Sequence, residues 1–590
     1  MCRIFGCFGK TLPVSELALS SRQQFDGGPD TQRFASGAGW SLGMNRLAIV
    51  NPEGGSQPFR LGAITVVYNG EIYNHAALRH DLRARGFHIT DRCDGAILPA
   101  LYAVYGPNFV DRLDGMYALA VIDERERPRI LLATDHAGMK PLYWFWSEPE
   151  RALYFSSELR GLFAFSNVPM EFSETGLDIF LALKYRPGPG TMFHGVSVLL
   201  PGQNLTVDDS GLSLRFRTAT VAPRADASLE HSLTEGVADL LVADVPACVV
   251  TSGGIDSSLV TMLAATVTEG LHSFNIGYVG DWPGDERGFA DMVAKHCGTV
   301  HHQVVLDPRD IPLVVTEMAL AIGQPNGAPI SVSTYTLFEQ IAAAGFRVAL
   351  TGDGSDEIFG GYWHAVQALA MGESDWWPSY SATLISLPAA TRTALYSPDY
   401  RHRIADEQTP EAWLAQYVHK GSDRLDMLTE FELAAKFPNY HLMRVDHLSM
   451  AHSVEARLPF CQREVIAHAR SMPSEQKIAA DRGKIPLAEM ARDRLPAAVV
   501  NRPKQPFTLP LVPMMLRTRA LWEFVESTLT DPTVRRDGQL DAVAIEQAMR
   551  RFRTKPTGVD AQLLWSLSVH QVWREAFRSE FRCRARVMSA

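Results

Sequence analysis

One short segment constrains the fold more than any other part of this 590-residue chain: the sequence TSGGIDSS at 251–258. It follows the apolar run ACVVT (247–251), which predicts a buried strand, and it precedes a run with helical periodicity from Ile255. Gly253 and Gly254 permit a tight turn, and exposed N–H groups at a helix start attract anions. The strand–turn–helix context therefore predicts a phosphate-binding loop in an α/β fold.

The side chains of this loop and of a second loop point to a nucleotide. Hydroxyls at Ser252, Ser257 and Ser258 add hydrogen-bond donors, whereas Asp256 would repel a bare phosphate and instead suits Mg²⁺ bridging phosphates. The segment TGDGSDEIFGGY at 351–362 also follows a predicted strand and is rich in acids and glycines. Acids at the carboxyl end of a neighbouring strand suit metal binding and ligand orientation.

The apolar pattern divides the chain into two halves. Up to about residue 205, short and often alternating runs predict antiparallel strands, and Asn74 is the predicted N-cap of a helix that ends at Gly86. The polar stretch at 203–228 suggests an interdomain connection. From about residue 229, short apolar strands alternate with helical periods, which predicts a parallel sheet with crossover helices; beyond about 380 the pattern is mostly helical. The strands predicted in this second half are 247–251, 272–278, 300–306 and 347–351.

Composition excludes several classes of protein. The chain has 56 Lys+Arg against 66 Asp+Glu, a net charge of −10, which argues against a dedicated nucleic-acid-binding protein. The seven cysteines include no CxxC pair and predict a reduced, cytoplasmic protein. No segment predicts a membrane span or an export signal. We therefore expect small-molecule substrates and neither nucleic acid nor membrane as a partner.

Cys2 is a candidate nucleophile because it directly follows the initiator Met. Removal of Met1 would leave one residue with a thiol and a free α-amine, whose ordinary pKa of about 7.7–8.0 suits a general base. A cysteine at position 2 is weak evidence by itself, but other segments of the first half strengthen it. These are RLAIV (46–50), YNGEIYNH (68–75), LDGMYALAVID (113–123) and GMKPLYW (138–144).

Together with HSVEARLPF (452–460), Gly483-Lys484 and the two nucleotide loops, these segments resemble the glutamine-hydrolysing asparagine synthetases of the bacterial B type. The resemblance runs from Cys2 to RPKQPF at 502–507. It implies a class II glutamine amidotransferase domain at 1–210, an N-terminal-nucleophile hydrolase with an αββα sandwich. It also implies a doubly wound α/β domain of the ATP-pyrophosphatase type at 225–590, with a largely helical C-terminal part, and ATP and Mg²⁺ as cofactors.

The resemblance implies roles for residues of the first half. Cys2 would attack the glutamine amide, and Asn69 with the Gly70 backbone would form the oxyanion hole. Arg46 would hold the α-carboxylate of glutamine and Asp94 its α-ammonium, pairings that the charges favour. The remaining glutamine-binding positions it implies are Leu47, Ala48, Ile49, Val50 and Glu71.

The resemblance extends to the second half. Asp353 matches an acid linked to acyl-adenylate formation, Lys484 matches a lysine near the reacting phosphates, and Asp256 and Asp356 match the Mg²⁺ ligands. The implied ATP-binding residues are Val250, Ser252, Gly253, Gly254, Asp256, Ser257, Ser258, Ile276, Thr351 and Gly352.

The implied function is glutamine hydrolysis at Cys2, passage of ammonia through an internal channel, and amidation of a carboxylic acid through an acyl-AMP, with release of AMP and pyrophosphate. The acceptor is aspartate, giving asparagine, or a pathway-specific carboxylate. An adenylating cyclase of the β-lactam synthetase type is an alternative, although Cys2 argues against it. A non-catalytic relative is a third, which the intact nucleotide loops disfavour. The oligomeric state stays open, and a homodimer is one option.

Four departures from the family pattern bear on the acceptor and the nucleophile. Gly27 in GGPD replaces the usual Arg, Arg3 replaces a small residue, Asp353 shortens the usual Glu, and CQ at 461–462 replaces LD. The segment at 324–327 often helps to line the acceptor pocket in this family. Because an acid one methylene shorter moves its charge by about 1.5 Å, and a misplacement of about 1 Å can cost about 100-fold in rate, one hypothesis is that aspartate is a poor substrate and a bulkier carboxylate is amidated.

Overall fold

The computed structural model describes residues 2–217, 223–372, 376–417, 423–479, 482–502, 505 and 509–588. Side chains are described up to residue 581, so the last turns of the C-terminal helix are described by their backbone alone. Most of the RPKQPF segment lies outside the described residues.

Residues 2–217 form two antiparallel sheets of six strands each, in the orders β10-β8-β9-β1-β3-β2 and β12-β11-β7-β6-β5-β4. The strands are β1 Cys2–Phe8, β2 Thr31–Gly37, β3 Trp40–Arg46, β4 Phe59–Leu61, β5 Ile64–Ile72, β6 Gly115–Asp123, β7 Arg129–Thr134, β8 Tyr143–Ser147, β9 Ala152–Ser156, β10 Val196–Val198, β11 Gln203–Asp208 and β12 Gly211–Phe216. The α-helices of this half are α1 Val14–Gln23, α2 His75–Ala84, α3 Leu98–Tyr105, α4 Leu159–Leu162 and α5 Gly176–Leu183.

The two sheets pack face to face, and helices cover both outer faces. Alternate side chains of each strand, such as Ile4 and Val67, meet in a buried core between the sheets. On the outer faces, α1, α4 and α5 pack on the first sheet, and α2 and α3 pack on the second. These four layers are the predicted αββα sandwich, which is confirmed.

The interpretation of 203–228 as an interdomain connection is wrong for its first part. Residues 203–216 form the hairpin β11–β12, and β11 pairs with β7 in the second sheet. β11 buries alternate side chains, whereas β12 is the outermost strand and is mostly exposed, with Leu214 and Phe216 among its exposed side chains. The domain limits 1–210 and 225–590 stay predictions.

The second half contains a parallel sheet in the order β15-β14-β13-β16-β17. Its strands are β13 Ala247–Val250, β14 His272–Tyr278, β15 Val300–Leu306, β16 Val348–Leu350 and β17 Glu455–Arg457. Helices α6, α7, α19 and α21 cover one face, and α9, α10 and α18 the other. The strand order reverses between β13 and β16, and the carboxyl ends of two such strands form the crevice where doubly wound sheets bind ligands.

The remaining residues of this half are mostly helical, as the sequence predicts. Its α-helices are α6 Leu229–Leu240, α7 Ile255–Val267, α8 Arg287–Cys297, α9 Ile311–Ala321, α10 Ile330–Ala343, α11 Ser355–Phe359, α12 Trp363–Ala370, α13 Trp376–Leu384, α14 Ala389–Leu395, α15 Pro398–Arg403, α16 Pro410–Ala415, α17 Arg424–Phe431, α18 Met443–Met450, α19 Arg463–Ser471, α20 Ser474–Lys477, α21 Ile485–Ala491, α22 Ala497–Val500, α23 Leu511–Arg517, α24 Arg519–Thr530, α25 Pro532–Arg536, α26 Ala542–Thr554 and α27 Gly558–Met588. Within the described residues, no helix combines the length and the apolar character needed to span a bilayer.

Candidate active site

Cys2 begins β1 and lies in the wall of a buried polar site. Its side chain is 5% exposed, and β1 places it opposite Arg46 of β3. Gln57 Nε2 donates a hydrogen bond to Cys2 Sγ at 3.2 Å and another to the Tyr68 carbonyl at 2.9 Å. Burial raises the pKa of the Cys2 thiol, and the positive charge of Arg46 partly offsets this effect.

Asn69 and Gly70 lie beside Cys2 on β5. The Cys2 backbone N–H donates to Asn69 Oδ1 at 3.1 Å, whereas Asn69 Nδ2 is buried without a hydrogen-bond partner among the described residues. Gly70 has a φ of 148°, and a Cβ there would lie 2.0 Å from the Met116 carbonyl oxygen. The strand therefore requires glycine at this position, next to an amide donor that is available to a ligand.

Arg46 and Asp94 place opposite charges near the Cys2 thiol: Arg46 lowers the pKa of the thiol and Asp94 raises it. Arg46 Nη1 and Nη2 donate to the carbonyls of Pro52 and Asn51 at 3.1 and 2.8 Å, which fixes the guanidinium. Asp94 accepts hydrogen bonds from the Tyr68 hydroxyl at 2.5 Å and from the Ile72 N–H at 2.7 Å. The site thus presents one cation and one anion near a thiol, the complement of an α-amino acid.

The other residues predicted to bind glutamine lie around this site in different environments. Leu47 and Ile49 are buried in the apolar core shared with the second half, Ala48 is buried and Val50 is half-buried. Glu71 forms an ion pair with Arg457 of β17, a fully buried arginine that also pairs with Glu455. The Glu71 carboxylate therefore connects the two halves of the chain.

The TSGGIDSS segment forms the predicted loop between β13 and α7. Its hydroxyls close the loop internally, because Ser257 Oγ accepts from the Ser252 N–H at 3.0 Å and Ser252 Oγ accepts from the Gly254 N–H at 3.2 Å. Gly352 allows the second loop to approach this one, since a Cβ at Gly352 would lie 2.8 Å from the Ser257 nitrogen. The two predicted nucleotide loops are thus in contact at the reversal point of the sheet.

Lys484 joins the two acidic loops. Its Nζ lies 2.6 Å from Asp256 Oδ2 and 2.7 Å from Asp356 Oδ1, and its backbone adopts a left-handed conformation with φ 56°. Gly361 makes this approach sterically feasible, because a Cβ there would lie 2.0 Å from Lys484 Cε. Asp353, in the same loop, accepts a hydrogen bond from the Thr351 hydroxyl at 2.7 Å. Three segments distant in sequence therefore converge on one charged centre.

These residues line a cavity of about 1180 Å³. Two of the predicted ATP-binding residues do not line it: Gly253 packs under Phe289, and Ser258 is fully buried. In the segment at 324–327, Gln324 and Asn326 are buried and do not line this cavity, whose lining includes the neighbouring Ala328, so a role of the segment at the acceptor stays a prediction. The predicted residues that line it are Val250, Ser252, Gly254, Asp256, Ser257, Ile276, Thr351, Gly352, Asp353, Asp356 and Lys484.

One wall of this cavity, which includes Lys184, Tyr440 and Arg444 and which we call the far wall, carries no sequence motif and is not predicted. Lys184, just after α5 of the first half, and Arg444 of α18 lie with their charges 5.7 and 5.9 Å from the centre of the Tyr440 ring. Neither forms an ion pair with an acid among the described residues. Burial raises the pKa of Glu357 to about 8 and lowers that of His364 to about 4, so both are neutral near pH 7.

Three histidines near the end of α8 and in β15 have separate hydrogen-bond partners. His301 pairs with Ser273 and His302 with His272, while His296 faces the Arg494 carbonyl, so the histidines of this segment point to different partners. In α27, Arg574 and Arg578 form ion pairs with Asp537.

Two family models match the chain. The glutamine amidotransferase domain matches residues 1–217, and asparagine synthase matches residues 228–575. The chain belongs to the asparagine synthase family. It is an amidotransferase of the glutamine-dependent asparagine synthetase type, a carbon–nitrogen ligase.

Curated relatives match over most of the length of this chain and of their own chains. Asparagine synthetase [glutamine-hydrolyzing] 3 of Bacillus subtilis is 29% identical, covering 81% of this chain and 82% of the relative. Asparagine synthetase [glutamine-hydrolyzing] 1 of the same organism is 25% identical, covering 97% and 96%. The asparagine synthetase of Brassica oleracea is 27% identical, covering 86% and 78%.

Proposed function

We propose that this amidotransferase converts aspartate to asparagine with ammonia from glutamine, and that it activates the aspartate side-chain carboxylate as an acyl-AMP. ATP is consumed to AMP and pyrophosphate. The observation that carries the proposal is the pairing of two sites in one molecule: a buried thiol site in the first half and a cavity at the reversal point of a parallel sheet in the second.

At the first site, Cys2 is the proposed nucleophile. Once Met1 is removed, the Cys2 nitrogen is an amine, and Asn69 Oδ1 at 3.1 Å orients it to take the thiol proton. Attack on the glutamine amide forms a tetrahedral oxyanion, to which Asn69 Nδ2 and the Gly70 N–H donate hydrogen bonds. Arg46 holds the α-carboxylate and Asp94 the α-ammonium of glutamine. Collapse releases ammonia and leaves a thioester that water hydrolyses to glutamate.

Ammonia reaches the second site through the apolar interface between the halves. Leu47, Ile49 and Met116 of the first half share one buried core with Leu350 and Phe460 of the second. Such an environment favours neutral ammonia over ammonium, because burial penalises the charged form. The amine therefore travels in its nucleophilic state.

At the second site, the TSGGIDSS loop and the start of α7 hold the phosphates of ATP. Lys484 offsets the negative charge that develops as the aspartate carboxylate attacks the α-phosphate and pyrophosphate leaves. Asp353 helps to position the acceptor, and ammonia then attacks the acyl carbon and displaces AMP.

Asp256 and Asp356 fit a Mg²⁺ ion. Both supply hard carboxylate oxygens, the donors that Mg²⁺ prefers, and Asp256 Oδ1 is buried without a hydrogen-bond partner among the described residues. Lys484 Nζ lies 2.6 and 2.7 Å from these two carboxylates, so a positive charge is already stabilised between them. The chemistry that bound Mg²⁺ supplies is neutralisation of phosphate charge.

The far wall of the cavity supports aspartate as the acceptor. Lys184 and Arg444 place two cations beside Tyr440, which suits an acceptor with a second anionic group besides the carboxylate that reacts. Aspartate has such a group in its α-carboxylate. The two Bacillus subtilis relatives are named asparagine synthetases, which agrees with this choice.

Pyrophosphate release tests the proposal with matched acceptors. Aspartate, with ATP, Mg²⁺ and glutamine, should give kcat/KM above about 10⁴ M⁻¹s⁻¹. β-Alanine, which is aspartate without the α-carboxylate, should be at least about 10-fold poorer, and Lys184→Met should lower the value for aspartate by a similar factor. Lys295→Met, on the exposed surface of α8, is the control. A bulkier carboxylate that outperforms aspartate would contradict the proposal and restore the hypothesis drawn from Asp353.

A further inference from the structure

Arg3, the residue after the proposed nucleophile, forms a buried ion pair across the two halves of the chain. Its side chain is fully buried; Nε lies 2.8 Å from Glu158 and Nη1 lies 2.8 Å from Asp446 of α18. Lys140 Nζ binds the other oxygen of Asp446 at 2.8 Å. These four residues, Arg3, Lys140, Glu158 and Asp446, form what we call the Arg3 cluster, with two positive and two negative charges.

Two departures from the family pattern meet in this cluster. A Cβ at Gly27 would lie 2.5 Å from Arg3 Nε and 2.7 Å from Arg3 Cγ. No side chain at position 27 is compatible with this position of the Arg3 guanidinium. The glycine at 27 and the arginine at 3 are therefore coupled: the first provides the space that the second fills.

The opposite charges of the Arg3 cluster stabilise each other in their ionised forms. Burial by itself would raise the pKa of Asp446, but Lys140 and Arg3 outweigh it and hold the pKa well below its usual range. Burial likewise opposes ionisation of Glu158, and Arg3 reverses the effect. Because a buried charge without its partner is costly, β1 and α18 are held in one relative position.

The cluster also links the two sites. On one side, Arg3 directly follows Cys2 in β1. On the other, Asp446 follows Arg444 and Val445, which both line the nucleotide cavity. Any displacement of α18 at the cavity would therefore act on the strand that carries the thiol through the Arg3–Asp446 pair.

We propose that Arg3 is a positioning residue that couples glutamine hydrolysis to the occupancy of the synthetase site through its ion pair with Asp446. This inference rests on the proposed function. In the wild-type protein, ATP with aspartate should accelerate glutamine hydrolysis by at least about fivefold, a typical coupling between two sites.

The test removes the ion pair without leaving an unpaired charge. Arg3→Met leaves Asp446 paired with Lys140 at 2.8 Å and Glu158 paired with Arg160 at 3.3 Å, so each buried acid keeps a partner. Glutamate and pyrophosphate are quantified in the same reactions, with and without ATP and aspartate, and circular dichroism monitors folding. Arg3→Met should hydrolyse glutamine without acceleration by ATP and aspartate, and its ratio of glutamate to pyrophosphate should rise by at least about fivefold. Its synthesis of asparagine from ammonium salts should stay at the wild-type rate.

The matched control is Arg392→Met. Arg392 is also buried and also joins the halves, through Asp178 of α5 at 2.7 Å, but it does not contact β1. It should keep the wild-type ratio of glutamate to pyrophosphate. Unchanged coupling in Arg3→Met, an equal loss in Arg392→Met, or absence of acceleration in the wild type would overturn the inference. A wild-type protein that releases no pyrophosphate with any acceptor would instead overturn the proposed function.

Discussion

The two candidate sites are built in opposite ways. The thiol site is buried between strands of the sandwich, and register fixes its parts: β1 places Cys2 opposite Arg46, and β5 places Asn69 beside it. The nucleotide site is a cavity of about 1180 Å³ whose charged centre comes from three loops. The first site thus depends on sheet geometry, whereas the second depends on how separate loops pack.

The largest expected effect comes from a substitution that inactivates only the first site. Cys2→Ala should abolish glutamine hydrolysis, with a loss of at least about 10⁴-fold, since loss of a covalent nucleophile removes the whole pathway. Asparagine formation from ammonium salts should stay near the wild-type rate. Glutamate release and ammonia-dependent pyrophosphate release measure the two activities.

Cys7→Ala provides the control for this change, because Cys7 lies on the same strand and is also fully buried. It should retain glutamine hydrolysis. Glutamine hydrolysis by Cys2→Ala at the wild-type rate would assign the nucleophile to another residue.

The next largest effect is expected from a substitution that inactivates only the second site. Asp256→Asn removes the negative charge that faces Lys484 at 2.6 Å and one proposed Mg²⁺ ligand. Pyrophosphate release should fall by about 10²–10³-fold, while basal glutamine hydrolysis is retained. Asp291→Asn, which changes an exposed acid on α8, is the control and should be silent. Release of ADP and phosphate in place of AMP and pyrophosphate would refute the adenylation mechanism.

The same contrast explains which parts of the fold the sequence predicts. β14 and β15 coincide with their predicted bounds, 272–278 and 300–306. Burial explains this for β14, whose residues 273–277 are buried, whereas β15 lies at the sheet edge and is mostly exposed or half-buried, and its signal is the β-branched Val300, Val304 and Val305. The hairpin β11–β12 is not predicted, since it lies in a mainly polar stretch and the three alternating apolar residues of β12, Leu212, Leu214 and Phe216, are exposed or half-buried at a sheet edge. β17 is too short, at three residues, for any periodicity.

The candidate sites follow a similar rule. Cys2, Asn69 and Asp256 lie in local motifs, so the sequence identifies them without the structure. Gln57, which contacts Cys2 Sγ at 3.2 Å, belongs to a loop without a motif. The Arg3–Asp446 pair joins residues 443 positions apart, a contact that only tertiary packing creates.

The smallest expected effect concerns a buried acid that is specific to the second site. Glu357 lines the cavity, and burial, reinforced by the charge of Asp356, raises its pKa to about 8. In the unfolded chain its pKa is about 4.3. The folded state therefore holds a proton that the unfolded state has released at neutral pH. The stabilising contribution of this proton is complete below the unfolded pKa and is lost as the pH rises through about 8.

Glu357→Gln should remove this part of the alkaline destabilisation, because the amide is neutral at every pH and can still accept the hydrogen bond that the Tyr362 hydroxyl donates to Oε1 at 2.7 Å. Thermal unfolding between pH 6 and 9 should show a shallower decline in Tm for the variant, with a gain of about 1–3 °C over the wild type at the alkaline end. Glu339→Gln, at an exposed position of α10, should follow the wild-type curve. Parallel curves for Glu357→Gln and the wild type would mean that Glu357 is already ionised in the folded protein at neutral pH. The acid pair beside Lys484 would then carry an additional negative charge, and the cavity would favour a more cationic acceptor than aspartate.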